Sequence, residues 1–273
     1  MSKPGVRWCF NISKWSPTYQ ELLLAVSCIQ TEEKIRLNKF YFNKDFKYSL
    51  IGRLMMRKFV SENCQMDYSA VKFIRDEHGR PLLENSELNV SFNVSHQGDY
   101  TVFVGECDSM ALGVDVMKLE YTGGKSLHEF FRVMKRNFST EEWKQVYAMK
   151  TKQEQIGRFC RLWSLKEAYT KAVGVGITMK LDDLTFTPVK DLSKDHYVDD
   201  TRLEVEGKYM QNWKFQEILI DDEHCVSIAT NQEVDKLEFK EISFKELMEN
   251  AKGFLPQDES YCLEYFKKPN KSF

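Results

Sequence analysis

Apolar and polar residues alternate along the first half of the chain with the periods of both helices and strands. Between Asp45 and Glu62 the apolar positions recur at intervals of three, four or six residues, as the buried side of a helix requires. An apolar segment at 21–29 predicts an earlier helix, and Thr31, followed by acidic residues, predicts a helix N-terminus. The pattern also predicts strands over 71–74, 100–105 and 111–117, with turns over 75–81 and 97–99.

The second half mixes the two periods in the same way. Helical periodicity runs from 118 to 151, and a long helix over 158–173 should stop at Gly174 and Gly176. Ser243 begins a capping box for a final helix. Strands are predicted over 181–186, 203–205, 213–220, 225–230 and 237–242. Hexapeptides that start at Arg53 and Arg161 share three of six letters, so we expect an α+β fold built from two similar halves.

Composition narrows the class of protein. The 273 residues include 39 Lys and Arg against 41 Asp and Glu, a balance too even for a dedicated nucleic-acid binder. No run approaches the ~20 apolar residues of a membrane helix, and the first five residues lack the apolar core of a signal peptide. Seven widely spaced cysteines disfavour a disulfide framework and a zinc site. We therefore expect a cytosolic protein that binds neither nucleic acid nor membrane.

Candidate chemistry is concentrated between residues 161 and 171. On a helix, Glu167 and Lys171 lie on one stripe, although such a pair is also common on an ordinary solvated helix face. In the strand over 111–117, alternation points the Asp115 side chain to the face opposite its two valine neighbours. There it is either a functional carboxylate or an ordinary strand residue that faces water or pairs with an arginine. Asp115 and Glu167 together would form the hard oxygen site that Mg²⁺ prefers, which indicates phosphoryl chemistry.

A second group of candidates suits anion binding. The segment 93–98 predicts a tight polar turn, and a Ser95–His96 hydrolase dyad is disfavoured because adjacent strand residues point to opposite faces. A phosphate-binding turn and polar residues that satisfy their own backbone are the remaining alternatives. Three arginines, Arg36, Arg75 and Arg80, could bind phosphate through their guanidinium groups or could be ordinary surface charges.

Two separated motifs carry a family resemblance. Gly113-Val114-Asp115, followed at residue 163 by Trp-Ser-x-Lys-Glu-Ala-x-x-Lys, resembles the paired signatures of the 4′-phosphopantetheinyl transferases. Similarity to the family also covers 30–36, 52–58, 75–81, 93–100, 130–138 and 174–176. The resemblance implies two similar α/β subdomains in a pseudo-twofold arrangement, with the active site at their interface. We expect an N-terminal subdomain over 1–110 and a C-terminal subdomain over 111–273.

The resemblance also implies roles for individual residues. Asp115, Glu167 and Gln97 match the Mg²⁺ ligands, whereas Met117 stands where many relatives have a second acid, and a thioether is a poor ligand for a hard cation. Asp115, Glu167 and Lys171 match the catalytic positions. The positions that match the coenzyme A site are Arg36, Arg75, Asp76, Glu77, His78, Gly79, Arg80, Asn93, Val94, Ser95, His96, Glu167 and Lys171.

The implied reaction is a Mg²⁺-dependent transfer of 4′-phosphopantetheine from coenzyme A to a serine of an acyl or peptidyl carrier domain, which releases 3′,5′-ADP. Implied partners are fatty acid synthase and the aminoadipate-reducing enzyme of lysine metabolism, and the expected state is a monomer. A basic cluster, Arg132, Lys135 and Arg136, is a candidate dock for an acidic carrier helix, with a solvated helix face as the alternative.

Other interpretations of the same residues stay open at this point. A Mg²⁺-dependent phosphoryl or nucleotidyl transferase that acts on a small molecule would use the same acids and arginines. A non-catalytic protein that binds coenzyme A or a carrier is a third alternative. The tail from Lys252 to Phe273 suggests no function, and we expect it to wrap the second subdomain or to be mobile.

Overall fold

The structure is a computed structural model that describes residues 4–84, 87–174 and 179–270. Its helices are α1 (Tyr19–Ser27), α2 (Thr31–Asn38), α3 (Asn43–Asn63), α4 (Leu127–Met134), α5 (Thr140–Tyr147), α6 (Lys152–Val173), α7 (Phe244–Leu247) and α8 (Glu259–Phe266). Its strands are β1 (Val6–Asn11), β2 (Phe73–Arg75), β3 (Pro81–Leu83), β4 (Ser91–Gln97), β5 (Tyr100–Glu106), β6 (Leu112–Lys118), β7 (Leu184–Thr187), β8 (Arg202–Val205), β9 (Lys208–Tyr209), β10 (Lys214–Leu219), β11 (His224–Thr230) and β12 (Lys240–Glu241).

The mixed α+β class is confirmed, with differences at particular elements. Strand β1 was not predicted, and the expected strand over 237–242 is reduced to Lys240–Glu241. Gln30 rather than Thr31 is the N-cap of α2. Gly174 ends α6 with φ of 78°, the left-handed conformation that favours glycine, whereas Gly176 lies outside the described residues.

The chain divides into two compact units. The first comprises Met1–Ser109 together with Glu238–Phe273, and the second comprises Met110–Leu237. The core of the first unit lies between a sheet with the strand order β12-β1-β5-β4 and helix α3. The rings of Phe59 on α3 and Phe103 on β5 lie 5.4 Å apart, and a Cβ at Gly105 would lie 2.7 Å from the Phe59 ring. Glycine at 105 therefore lets the helix approach the sheet.

The assignment of residues 111–273 to one C-terminal subdomain is corrected, because the segment that begins at residue 238 returns to the first unit. Strand β12 pairs in parallel with β1, where Trp8 lies opposite Lys240, and the rings of Trp15 and Phe244 stack at 5.0 Å. Further along, the Tyr265 ring lies 4.9 Å from that of Phe46. The apolar side chains of this segment complete the first core, so the expected wrapping of the second subdomain by the tail is also wrong.

The second unit is built on a sheet with the order β10-β11-β6, which α6 covers on one face. Gly113 allows this packing, because a Cβ there would collide with the carbonyl oxygen of Ala168 on α6. A separate sheet has the order β7-β8-β9. Helices α4 and α5 join the core through aromatic rings, with Phe131 5.3 Å from Trp143 and 5.4 Å from Phe159. These rings pack against the side chain of Phe159 on α6.

Among the described residues, no helix combines the length and the apolar character needed to cross a bilayer. The seven cysteines all lie within the described ranges and form no disulfide with one another.

Candidate functional site

An acid–lysine cluster forms in the second unit, where β6 carries Asp115 and α6 carries Glu167 and Lys171. The Lys171 Nζ donates to Asp115 Oδ1 at 2.7 Å and to the Val114 carbonyl oxygen at 3.2 Å. The Asp115 side chain is only 8% exposed, whereas that of Lys171 is 29% exposed. The close approach at Gly113 therefore brings together the three residues that the sequence predicted to be catalytic.

The electrostatics of Glu167 show that two carboxylates share this space. Burial raises the pKa of Glu167, the Lys171 ammonium opposes that rise, and the Asp115 charge adds to it, so that the net pKa is raised. Such a pair disfavours full ionisation unless a cation is added. Carboxylate oxygens are also the donors that Mg²⁺ prefers, so these residues fit the predicted ion.

Ser164 in the second motif anchors the strand rather than the ligand. Its Oγ donates to the Asp115 backbone carbonyl oxygen at 3.3 Å, which ties β6 to α6 next to the cluster. Met117, two residues further along β6, packs against the apolar core of this unit. Its side chain is partly buried there, and its place outside the metal-ligand set stays a prediction.

Lys166 of the same motif is fully buried and structural. Its Nζ contacts Glu142 Oε2 at 2.8 Å and donates to the Leu181 and Leu184 carbonyl oxygens, each at 2.7 Å. Glu142 Oε1 in turn accepts from the Phe186 N–H at 3.0 Å. Lys166 therefore joins α5, α6 and the start of β7. The other lysine of the motif, Lys171, is the one that contacts Asp115.

A second cluster, in the first unit, gathers arginines around one buried carboxylate. Glu33 on α2 contacts Arg53 at 2.9 Å, Arg75 at 3.0 Å and Arg36 at 3.1 Å. Three guanidinium charges thus face one carboxylate, and the excess positive charge suits an anionic ligand. The side chains of Arg36 and Arg75 are about one-third exposed, at 35% and 33%, so they can meet such a ligand. We call these four residues the arginine cluster.

Sequence reasoning missed Glu33 and Arg53. Glu33 resembles an ordinary first-turn acid of a helix, and Arg53 lies within an amphipathic pattern, so neither carries a local signal. Burial raises the pKa of Glu33, but attraction from Arg53, Arg36 and Arg75 outweighs it, and the net pKa is lowered. Burial lowers the pKa of Arg53 to about 10, which leaves it charged at neutral pH.

The predicted coenzyme loop over 75–80 lies beside the arginine cluster through Arg75. Asp76 shapes this loop, because its Oδ1 accepts from the backbone N–H groups of His78 at 2.9 Å and Arg80 at 2.8 Å. Gly79 has φ of 79°, and its carbonyl oxygen accepts from Arg75 Nη1. The exposed Glu77 lies 3.7 Å from the His78 ring. The loop therefore carries two guanidinium groups, those of Arg75 and Arg80, on one turn.

The segment 93–98 is a strand rather than the predicted tight turn, because residues 91–97 pair with β5 as strand β4 and only Gly98 and Asp99 turn. Ser95 is buried and His96 is exposed, so their side chains lie on opposite faces of the strand, an arrangement that disfavours a hydrolase dyad. The His96 ring stacks on Tyr48 at 4.6 Å. Asn93 is buried, Val94 packs against the first core, and Gln97 ends β4.

Comparisons with known proteins show similarity to one family along most of the chain. Residues 13–108 match a family described as 4′-phosphopantetheinyl transferase, N-terminal, and residues 111–229 match the 4′-phosphopantetheinyl transferase superfamily. The human L-aminoadipate-semialdehyde dehydrogenase-phosphopantetheinyl transferase is 36% identical, over 95% of this chain and 90% of its own length.

More distant relatives also match. A phosphopantetheinyl transferase of a Thraustochytrium species is 35% identical over 81% of this chain and 77% of its own length. A 4′-phosphopantetheinyl transferase of Bacillus subtilis is 30% identical over 59% of this chain and 66% of its own length.

Proposed function

Since the chain belongs to the 4′-phosphopantetheinyl transferase family, we propose that Asp115, Glu167 and Lys171 form its catalytic centre and that the arginine cluster binds the phosphates of coenzyme A. The protein is an enzyme that transfers 4′-phosphopantetheine to carrier proteins. The contact of Lys171 with Asp115 beside the raised pKa of Glu167 is the observation that carries this assignment. Family membership decides against the small-molecule transferase and the non-catalytic binding protein.

Enzymes of this family typically use Mg²⁺ and coenzyme A. In this chain Asp115 and Glu167 would hold the metal, and Gln97 stays the predicted third ligand. When bound, Mg²⁺ would neutralise charge on the pyrophosphate. The guanidinium groups of Arg36, Arg75 and Arg80 would meet phosphate oxygens, for which their planar donor geometry is suited.

In the proposed reaction a carrier serine Oγ attacks the β-phosphorus of coenzyme A. A serine O–P bond forms, the pyrophosphate bridge to the nucleotide breaks, and 3′,5′-ADP leaves. Glu167 takes the serine proton, a role that its raised pKa supports. Lys171, held by Asp115 and the Val114 carbonyl, keeps a positive charge near the leaving group.

Carrier domains of fatty acid synthase and of the aminoadipate-reducing enzyme are the proposed acceptors, and the name of the human relative supports the second. Arg132, Lys135 and Arg136 are exposed at the end of α4 and in the 3-10 turn that follows it, where they would receive an acidic carrier helix. The monomeric state, the cytosolic location, the pseudo-twofold arrangement and an interfacial active site stay predictions.

The test is incubation with coenzyme A, Mg²⁺ and an apo acyl carrier domain, followed by intact mass measurement of the carrier. We expect the carrier to gain one phosphopantetheine on its serine, and 3′,5′-ADP to appear in equal amount. A carrier whose serine is replaced by alanine is the control. An unmodified wild-type carrier after chelator-free incubation would contradict the proposal.

A further inference from the structure

Helix α2 carries both Glu33 and Arg36 of the arginine cluster, yet it has little intrinsic stability. It has eight residues, and isolated helices shorter than about 12–15 residues are marginal in water. Its N-cap, Gln30, makes no side-chain capping bond, and Ile35 on its outer face is 58% exposed. The position of α2 therefore depends on what packs against its ends.

Residues 254–270, which we call the C-terminal clamp, contact the chain before α2 and both ends of the helix. At the entrance, the backbone N–H groups of Phe254 and Leu255 donate to the Ser27 carbonyl oxygen at 3.0 and 3.1 Å. These bonds fix the short connection that leads from α1 into α2. The clamp therefore begins at the connection that sets the direction of α2.

In the first turn of α2, Lys34 is held by two residues of the clamp. Its Nζ lies 2.8 Å from Asp258 Oδ2, and its backbone carbonyl oxygen accepts from the Tyr261 hydroxyl at 2.8 Å. The ammonium also lies 4.8 Å from the centre of the Tyr261 ring. The bond from Lys34 is the largest of the causes that lower the pKa of Asp258 to about 2. The acid is therefore ionised at neutral pH.

At the other end, Lys268 caps the C-terminus of α2. Its Nζ donates to the carbonyl oxygens of Asn38 at 2.9 Å and Phe40 at 2.6 Å, where the last helical turn leaves acceptors without helical partners. Phe40 lies under the Arg36 guanidinium, 5.6 Å from its ring centre. Lys268 thereby supports the residue on which Arg36 rests.

The clamp also opposes a repulsion within the arginine cluster. Arg36, Arg53 and Arg75 carry three positive charges against the single carboxylate of Glu33, so α2 is attracted through Glu33 but repelled through Arg36. Contacts at both ends of the helix restrict the rotation and translation by which Arg36 would otherwise move away.

We propose that Asp258 and Lys268 are positioning residues for the binding of coenzyme A. They fix helix α2 so that Arg36 faces the phosphates of the coenzyme. The inference rests on the proposed phosphate-binding function of Arg36. Neither clamp residue touches the substrate in this scheme. Their loss should therefore weaken coenzyme binding without changing the chemical step.

The experiment compares Lys268→Ala with Lys267→Ala, and Asp258→Asn with Glu259→Gln, all in the full-length chain. Each control removes the same charge at the adjacent position, where the residue is exposed to solvent. We expect the two clamp variants to raise the KM for coenzyme A roughly three- to tenfold, as partial loss of a charge-assisted contact predicts. The kcat and the KM for the carrier should stay unchanged, and Lys268→Arg should restore the affinity.

Amide hydrogen exchange of residues 32–38 gives a second readout, because a loosened α2 should exchange faster in the clamp variants than in their controls. Unchanged coenzyme KM in both clamp variants would overturn the inference, whatever the exchange shows. An equal rise in the KM for coenzyme A and for the carrier would also overturn it, since that indicates general damage.

Arg36→Ala separates failure of this inference from failure of the proposed function. If Arg36→Ala raises the KM for coenzyme A and the clamp variants do not, only the positioning role fails. If Arg36→Ala leaves that KM unchanged, the phosphate-binding function of the cluster fails as well.

Discussion

Asp115 and Glu167 show how two acids acquire different properties from their surroundings. Asp115 is nearly buried and bound to Lys171, whereas Glu167 is half-buried and has a raised pKa, first because of burial and then because of the Asp115 charge. A carboxyl group with a raised pKa is a stronger base than an ordinary glutamate. This difference supports the proposed roles of the pair, in which both acids bind the cation and Glu167 takes the proton.

Substitution of these acids should remove activity and leave the fold intact. Asp115→Asn and Glu167→Gln keep the side-chain shape but remove the charge, and we expect each to lower the rate of carrier loading by about 10²–10³. Initial rates measured by intact mass of the carrier check this. Glu141→Gln, at an exposed position of α5, is the control and should retain full activity. Turnover like that of the wild type in both variants would contradict the catalytic assignment.

Glu33 should matter for stability with a defined pH dependence. Glu33→Gln leaves Arg53, which is 2% exposed, without its charge partner, and loss of one member of a buried pair costs about 3 kcal/mol of unfolding free energy. The folded-state pKa of Glu33 is lowered, so its stabilisation is complete above about pH 4.3, the ordinary pKa of a glutamate. It is lost as pH falls through the lower folded-state pKa.

Urea unfolding at several pH values tests this expectation. The difference in unfolding free energy between the wild type and Glu33→Gln should be constant above about pH 5 and should shrink in acid. Glu32→Gln, at the exposed neighbouring position, should show almost no difference at any pH. A difference that grows in acid would mean that the sign of the pKa shift is wrong.

Among the single elements, helix α6 carries both buried charged residues that stabilise the core and the residues that we propose to be catalytic. Lys166 points into the core toward Glu142, and Lys171, just over one turn later, points to Asp115. Arg161 on the same helix is also buried and binds Glu217 through Nε at 2.7 Å and Nη2 at 3.0 Å. Ion pairs therefore fix the helix at two points that precede Glu167 and Lys171.

Lys166→Met should destabilise the protein rather than impair the chemistry directly. Burial raises the pKa of Glu142 and lowers that of Lys166, and their attraction opposes both shifts, so removal of the lysine leaves a buried acid without compensation. Breaking such a pair costs about 3–5 kcal/mol. Thermal melting measures the loss, and Lys144→Met, at an exposed site, is the control. A variant that melts like the wild type but is inactive would assign Lys166 to the catalytic site.

In the whole molecule, the division into two units does not follow the predicted split of the chain into 1–110 and 111–273. The first unit contains both ends of the chain, and its sheet joins β12 to β1 in parallel although more than two hundred residues separate them. The last segment then supports α2, which carries part of the arginine cluster. A truncation of this segment would therefore affect the first unit and the arginine cluster, which we propose to bind phosphate.

Carrier recognition also belongs to this scale, since it involves an exposed surface and a second protein. Arg132→Glu combined with Arg136→Glu should raise the KM for the carrier about tenfold, because reversed charges repel an acidic helix. The KM for coenzyme A should not change. Lys150→Glu combined with Lys152→Glu, also at exposed positions, is the matched control. An unchanged carrier KM would show that the basic cluster of Arg132, Lys135 and Arg136 does not dock the carrier.

Local patterns in the sequence are sufficient to predict the α+β class, most helices and strands, and the pair of motifs that carries the family resemblance. These features depend on local periodicity and on residues close together in the chain, such as Glu167 and Lys171 one helical turn apart. Even here, the polar segment from 93 to 98 was misjudged, because pairing with β5 decides whether such residues form a strand or a turn.

In contrast, the burial of particular charges and the contacts between distant segments depend on tertiary packing. The burial of Lys166, the convergence of three arginines on Glu33 and the return of residues 238–270 to the first unit have no local signature. Desolvation and long-range pairing are set by the packing of the whole core, and identical residue types are found on solvated surfaces. Periodicity therefore determined the elements of this protein, while packing determined the environments in which its charged residues act.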